Sequence, residues 1–325
     1  MNKLYPLKFT PQILDKVWGG TRLRATLNKK TTSDKAGESW EISGVDGHVS
    51  VVSEGFLEGN TLQELIEIYM GDLVGDHIFE KFGPLFPLLI KFIDANDRLS
   101  IQVHPDDELA DKRHGSFGKT EMWYIVEAEK NAEITVGFNS KISREEYLEH
   151  LKNKKIEDVL NREKTHPGNV FFLPAGRVHA IGAGILLAEI QQTSDITYRI
   201  FDYDRPDENG KLRELHTGLA LDAIDFNMYG SYKTDYEKEL NNRSGLVACD
   251  YFTTNFFEVN RPVDLDYFML DSFIILLCID GAFELNYQNG SIKAMKGETI
   301  LIPAAIKSLE LKPIGHTSFL EVYIP

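Results

Sequence analysis

Cysteine is nearly absent: in 325 residues only Cys249 and Cys278 occur, both in apolar surroundings and without CxxC spacing. Two such thiols build neither a disulfide framework nor a cysteine-ligated zinc site, and both read as buried structural residues. No apolar run approaches bilayer-spanning length, and the opening Met1-Asn2-Lys3-Leu4-Tyr5-Pro6 carries no hydrophobic signal segment, so a cytoplasmic location is expected. Positive charge is also short, with 35 Lys and Arg against 50 Asp and Glu and a net charge of −15. That balance excludes nucleic acid or an anionic membrane as the main partner. An anionic small molecule remains compatible only where a local cluster of cations reverses the overall field.

What is present suits a globular chain of two domains, with 42% hydrophobic and 11% aromatic residues. Two capping boxes mark helices, Thr61 with Glu64 opening one that runs to about Met70 and Ser143 with Glu146 opening another. Otherwise the pattern is of short β runs, expected between Leu85 and Glu127 and at 170–173, 185–200, 246–260, 272–287, 291–302 and 317–324. Many short strands with regular turns predict a mainly β sandwich or barrel with few helices attached. The polar stretch Thr234–Ser244 reads as a linker. It divides an N-terminal domain with helical additions, residues 1–235, from a compact all-β domain, residues 236–325.

A weak internal repeat supports that division. Gly168 to His179 follows the pattern glycine, five residues, proline, any residue, glycine, two residues, histidine. Gly297 to Ser308 repeats the layout, with Ala305 for the second glycine and Ser308 for the histidine. The first glycine makes a turn, the apolar run is a buried strand ended by the proline, and the last position points a side chain inward. The reading is two barrels, of which only the first keeps a metal ligand.

Leu99-Ser100-Ile101-Gln102-Val103-His104 alternates strictly, so Ser100, Gln102 and His104 share one face of a strand. That face is either an outward polar one or a buried set of groups that need partners. Glu121 leads into the apolar run Met122–Val126, where an ionised carboxylate requires a cation; Lys119 can supply it, as an ordinary ion pair or as part of a pocket. With His179 from the glycine–proline motif, Gln102, His104 and Glu121 offer two imidazoles, a carboxylate and an amide oxygen. Such a set suits zinc or another first-row divalent metal with an open coordination position. Glu189, Asp195 and Arg199 fall at the same parity and project from one face if no bulge intervenes; structural ion pairing is the competing reading. Arg199, ahead of Ile200-Phe201, is a cation in an apolar strand and calls for an anion.

Ser100 to Asp106, Lys119-Thr120-Glu121, Pro174 to His179 and Glu189 to Arg199 together closely resemble the type I mannose-6-phosphate isomerases, in their shorter bacterial form. The resemblance covers essentially the whole chain and implies two cupin-type (jelly-roll) β-barrels with a few peripheral helices, the C-terminal one degenerate and without metal. It implies one zinc per chain on Gln102, His104, Glu121 and His179, and a phosphorylated hexose interconverted between mannose and fructose 6-phosphate through an enediolate. It gives Arg199 a catalytic part, with Glu189 and then Lys119 as candidate bases, and lets Ser100, Lys119, Asp195 and Arg199 bind substrate. The chain departs from the family at Ile181, where an aromatic often stands, and lacks much of a helical insertion of longer members. A monomer or homodimer is expected. The competing functions are a cupin oxygenase using iron on His104, Glu121 and His179, another sugar isomerase or epimerase, and a non-catalytic sugar-binding regulator.

Overall fold

The computed structural model describes residues 3–206 and 210–325. Its N-terminal part forms β1 (Gln12–Gly20), β2 (Ala36–Ser43), β3 (Leu88–Ala95), β4 (Ile101–Val103), β5 (Glu121–Ala128), β6 (Glu133–Phe138), β7 (Leu160–Lys164), β8 (Val170–Leu173), β9 (His179–Ile181), β10 (Ile185–Gln192), β11 (Tyr198–Phe201) and β12 (Lys233–Thr234). They make two facing antiparallel sheets, ordered β1-β2-β3-β10-β5-β8-β12 and β11-β4-β9-β6-β7. The C-terminal part forms β13 (Arg243–Ala248), β14 (Thr253–Val259), β15 (Val263–Asp266), β16 (Ile274–Asp280), β17 (Ala282–Tyr287), β18 (Gly290–Met295), β19 (Thr299–Ile302), β20 (Ser308–Pro313) and β21 (Thr317–Tyr323). These repeat the plan as β13-β14-β21-β16-β19 over β15-β20-β17-β18. Each half is a two-sheet jelly roll of the expected mainly β class, its sheets facing one another without closing into a hydrogen-bonded ring.

The capping boxes do what their spacing predicts. Glu64 N–H donates to Thr61 Oγ1 (3.2 Å) while Thr61 N–H donates to Glu64 Oε2 (2.8 Å), opening helix Leu62–Tyr69. The same exchange between Ser143 and Glu146 opens helix Arg144–Lys152. Among the described residues, no helix is long and apolar enough to cross a membrane. Both cysteines are free thiols; Cys278 is buried and Cys249 half-buried.

The central strands β2, β3 and β10 are buried along their whole length. Both faces are covered, and the two-residue period of a strand sorts the side chains. One parity, with Trp123, Ile125, Phe171 and Leu187, fills the space between the N-terminal sheets. The other, with Met122, Tyr124, Ile190 and Phe92, joins a larger core with Phe252, Phe256, Phe273, Leu277 and Leu320 of the C-terminal half. Tyr124 stacks on Phe256 with ring centres 5.6 Å apart. Leu7 ties the N-terminal segment across to Leu301 by backbone bonds of 2.7 and 2.9 Å.

Several expected strands divide. The runs 246–260, 272–287 and 291–302 each form two strands joined by a turn, because alternation alone does not show where the chain reverses. The run 185–200 divides more consequentially. β10 ends at Gln192 in the large sheet, and β11 begins at Tyr198 in the facing one. Gln191 Nε2 donates to the carbonyls of Gln192 and Ser194 (2.8 and 2.6 Å) and shapes the crossing. Glu189, Asp195 and Arg199 therefore do not share a strand face. The expected linker is also anchored: Tyr236 donates to Gly168 O (2.9 Å) and lies edge-on to Phe256.

Candidate active site

The two copies of the glycine–proline motif begin alike, Gly168 at φ +86° and Gly297 at φ +88°, each just ahead of a buried strand. They part at the second glycine. Gly176 sits at φ +87°, where a Cβ would lie 2.8 Å from Ala223 O, whereas Ala305 has an ordinary φ. His179 then opens β9 with its ring buried, while Ser308 opens β20 exposed. Leu309 and Leu311 take the inward parity of β20 and fill that sandwich with the cluster containing Phe283 and Phe319, so Ser308 does not point inward as the repeat implied.

In the N-terminal sandwich, β4 and β9 set Gln102 directly opposite His179. Glu121 reaches the same point from β5 of the other sheet. Its oxygens lie 3.3 Å from His179 Nε2 and 3.6 Å from His104 Nε2, and one ligand atom from each of the three residues falls within 4.8 Å of the others. Both imidazoles are oriented from behind: His104 Nδ1 bonds Ile196 O and His179 Nδ1 bonds Arg177 O, each at 2.8 Å. That fixes Nδ1 as the protonated nitrogen and turns the Nε2 lone pairs toward Glu121. Burial drives His179 down to about 4 and, with Lys119, pushes His104 well below its ordinary value, so both rings are neutral at pH 7. Burial, reinforced by Glu189 and opposed by Lys119, pushes the Glu121 carboxyl up to about 7. Apart from Lys119 Nζ, 3.2 Å from Oε2, neither buried oxygen of Glu121 has a hydrogen-bond partner among the described residues. A carboxylate so placed between two imidazole lone pairs fits a divalent cation.

Gln102 is the fourth member; its Nε2 lies 3.3 Å from His179 Nε2, and a half-turn of the amide exchanges nitrogen for oxygen there. Ser100 Oγ is 3.5 Å from Gln102 Oε1. Lys119 precedes β5 rather than lying in it, yet its Nζ is 3.2 Å from both Glu121 Oε2 and His104 Nε2.

Above these groups opens a cavity of about 430 Å³ that Ser100, Gln102, Lys119, Glu189, Asp195 and Arg199 all line. The crossing between sheets thus brings together what strand parity could not. Arg199 donates through Nη1 to Glu214 O (2.9 Å) and makes no ion pair with Asp195 or Glu189. Its buried Nε has no hydrogen-bond partner among the described residues.

Glu38, Trp40 and Lys91 of this cavity escaped the sequence reading, which had named Glu189. Trp40, Lys91, Glu189 and Trp123 are register neighbours across β2, β3, β10 and β5. Lys91 Nζ binds Glu189 Oε1 at 2.8 Å, and Trp123 Nε1 donates to Glu189 Oε2 at 2.7 Å. Despite burial, Lys91 and Lys119 hold the Glu189 carboxyl below its ordinary range; Lys91 and Lys16 hold Glu38, also buried, at about 2. A lysine inside Leu88-Leu89-Ile90-Lys91-Phe92-Ile93 was the available signal, passed over as part of an apolar run. The cavity carries Lys16, Lys91, Lys119, Arg199 and Arg213 against Glu38, Glu189 and Asp195, a local excess of positive charge on a chain of −15.

Comparison with known proteins agrees with this geometry. Residues 6–140 match the model of the phosphomannose isomerase type I catalytic domain, and residues 242–324 that of the mannose-6-phosphate isomerase cupin domain. A mannose-6-phosphate isomerase of Bacillus subtilis strain 168 is 35% identical over 94% of this chain and 96% of its own. The chain belongs to the type I mannose-6-phosphate isomerase family. A further family member, from Streptococcus mutans, is 33% identical over 93% of this chain and 94% of its own. The crystal structure of a Bacillus subtilis mannose 6-phosphate isomerase superposes with a TM-score of 0.89 at 34% identity, covering 98% and 99% of the two chains. A Salmonella typhimurium phosphomannose isomerase variant shares the fold at 17% identity and a TM-score of 0.79, over 99% of this chain and 100% of its own.

Proposed function

We propose that this protein interconverts mannose 6-phosphate and fructose 6-phosphate through an enediolate, in the cytoplasm, with one zinc ion held by Gln102, His104, Glu121 and His179. The observation that carries the reading is the His104–Glu121–His179 cluster, with both Nδ1 atoms tied back to carbonyls, beside a cation-rich cavity that its neighbours Gln102 and Lys119 line. Zinc at that position supplies Lewis-acid stabilisation of the oxygen charge that develops as the proton alpha to the carbonyl leaves.

The chain's own residues supply the rest. Lys119, at 3.2 Å from two of the ligands, is better placed than Glu189 to pass the proton between C1 and C2. Both Glu189 oxygens are engaged and its carboxyl is held low, which makes it a weak base; its part is to orient Lys91 and Trp123. Arg199, a cation with no ion-pair partner among the described residues, stabilises the enediolate or grips the phosphate with its planar fork. Ser100 and Asp195 contact the sugar. Residues 1–235 form the catalytic domain; residues 236–325 act without metal and cover the outer face of the large sheet.

Supplying fructose 6-phosphate and measuring mannose 6-phosphate tests the proposal. Chelation abolishes the conversion and added zinc restores it; full activity in metal-free protein would sink the reading.

A further inference from the structure

The segment carrying Lys119 is held at three consecutive amides. Gly118 N–H donates to Asp107 Oδ1 (2.8 Å), Lys119 N–H to Pro105 O (3.1 Å) and Thr120 N–H to Gln192 Oε1 (2.8 Å). The first and third holds are one structure, because Gln192 Nε2 itself donates to Asp107 Oδ1 (2.9 Å). The remaining oxygen of Asp107 accepts from Tyr251 Oη at 2.9 Å, and Tyr251 belongs to the C-terminal half, 144 residues away in sequence. Tyr251 stands in the β13–β14 turn, which is pinned by the fully buried Phe252 and by Cys249 N–H donating to Phe252 O (3.0 Å). A hydrogen-bonded chain thus runs from the rigid C-terminal sandwich through one carboxylate into the backbone on either side of Lys119, and at Thr120 it reaches the residue before Glu121.

We propose that Tyr251, Asp107 and Gln192 are positioning residues, through which the C-terminal half sets the placement of Lys119 over the metal ligands. The inference rests on the isomerase reading above. Gly118 leaves the segment little other freedom to settle: a Cβ there would meet Asp106 C and Asp107 N at 2.6 Å, so the chain packs directly onto the helix start that carries Asp107. Asp107 is the common node. Removing its carboxylate releases the Gly118 amide and the Gln192 amide together, whereas removing the Tyr251 hydroxyl loosens the node without touching the loop. Neither change reaches a metal ligand or the substrate cavity. A loop displaced by a fraction of an ångström misplaces Lys119 Nζ against the reacting carbons and lowers turnover more than binding.

The test uses the zinc-loaded full chain and four variants: Tyr251→Phe, Asp107→Ala, Lys119→Ala and the double Asp107→Ala/Lys119→Ala. Tyr251→Phe is expected to lower kcat for fructose 6-phosphate about 5-fold and Asp107→Ala about 30-fold, with KM within about twofold and one zinc per chain retained. In the Lys119→Ala background, Asp107→Ala is expected to add less than about twofold, because the relay acts through that lysine. A merely structural role gives the opposite pattern, with equal losses in both backgrounds or a fall in zinc content tracking a lower melting temperature. That pattern, or wild-type kcat in Tyr251→Phe, overturns the proposal. If wild-type protein makes no mannose 6-phosphate, it is the isomerase reading that fails; normal wild-type turnover with indifferent variants defeats the relay alone.

Discussion

Replacing Lys91 by methionine gives the sharpest test of how the cavity is balanced. The ammonium lies 2.8 Å from Glu189 Oε1 and 4.0 Å from Glu38 Oε2, and the side chain is only 8% exposed. At an effective dielectric constant of about 20 these contacts correspond to gross attractions of about 6 and about 4 kcal/mol. Desolvation offsets much of that, and breaking a buried pair from one side typically costs about 3–5 kcal/mol, because the carboxylate left behind has no partner. Methionine preserves the unbranched stem, so a packing loss does not dominate. The pH dependence separates charge from packing. In the wild type both carboxyls are held low, stay ionised through neutral pH, and lose their stabilising contribution only as acid titrates them. In the variant burial acts on Glu189 without Lys91 and raises its folded-state pKa above the unfolded value. The folded state then retains a proton that the unfolded state has released, and stability falls as pH rises through the raised value. Urea unfolding of metal-free protein at pH 6 and pH 8, both above the sequence pI of about 5.1, reads this directly. The expected deficit is about 3–5 kcal/mol at pH 8 and smaller at pH 6. A deficit under about 1 kcal/mol, or one that is flat or shrinks with rising pH, refutes the reasoning.

His179→Ala removes a proposed ligand whose ring is held by Arg177 O, and is expected to leave a folded protein with well under one zinc per chain by elemental analysis and no turnover. Arg199→Ala is expected to lower kcat by about two to three powers of ten at unchanged zinc content if the guanidinium stabilises the enediolate, with lysine rescuing only in part; a rise in KM alone assigns it to the phosphate. Since no ion pair joins Arg199 to Asp195 or Glu189, its melting temperature is expected to stay near wild type. Phe252→Ala, a fully buried ring in the core shared by the two halves, is expected to cost about 3–5 kcal/mol in urea unfolding.

Side-chain chemistry at short range was legible before any fold was known. The capping boxes at Thr61 and Ser143 depend on residues three apart, which any helix brings together. Ser100, Gln102 and His104 were placed on one face by a period of two, and the glycine–proline motif carried its turn, strand and ligand within twelve residues. Lys91 was not singled out because it sits in a run that reads as apolar strand, and Glu38 because its half-polar segment carries no strand signal; their ion-pair partners lie on other strands. The supposed continuous strand at 185–200 failed because a reversal held by the Gln191 amide leaves no mark on hydrophobic alternation.

By itself, then, the sequence determined the fold class, the family and the identity of the candidate ligands, since these rest on residue type, local spacing and motif. The tertiary structure decided everything that depends on which strands face one another. Two sheets had to meet before Glu121 could stand between His104 and His179, and a chain had to cross from one to the other before Glu189, Asp195 and Arg199 could share a cavity. It also decided that the second copy of the motif turns Ser308 outward, because leucine and phenylalanine side chains already fill the space its histidine counterpart occupies in the first. Backbone pairing and close packing act between residues far apart in the chain, and a one-dimensional pattern does not specify those distances.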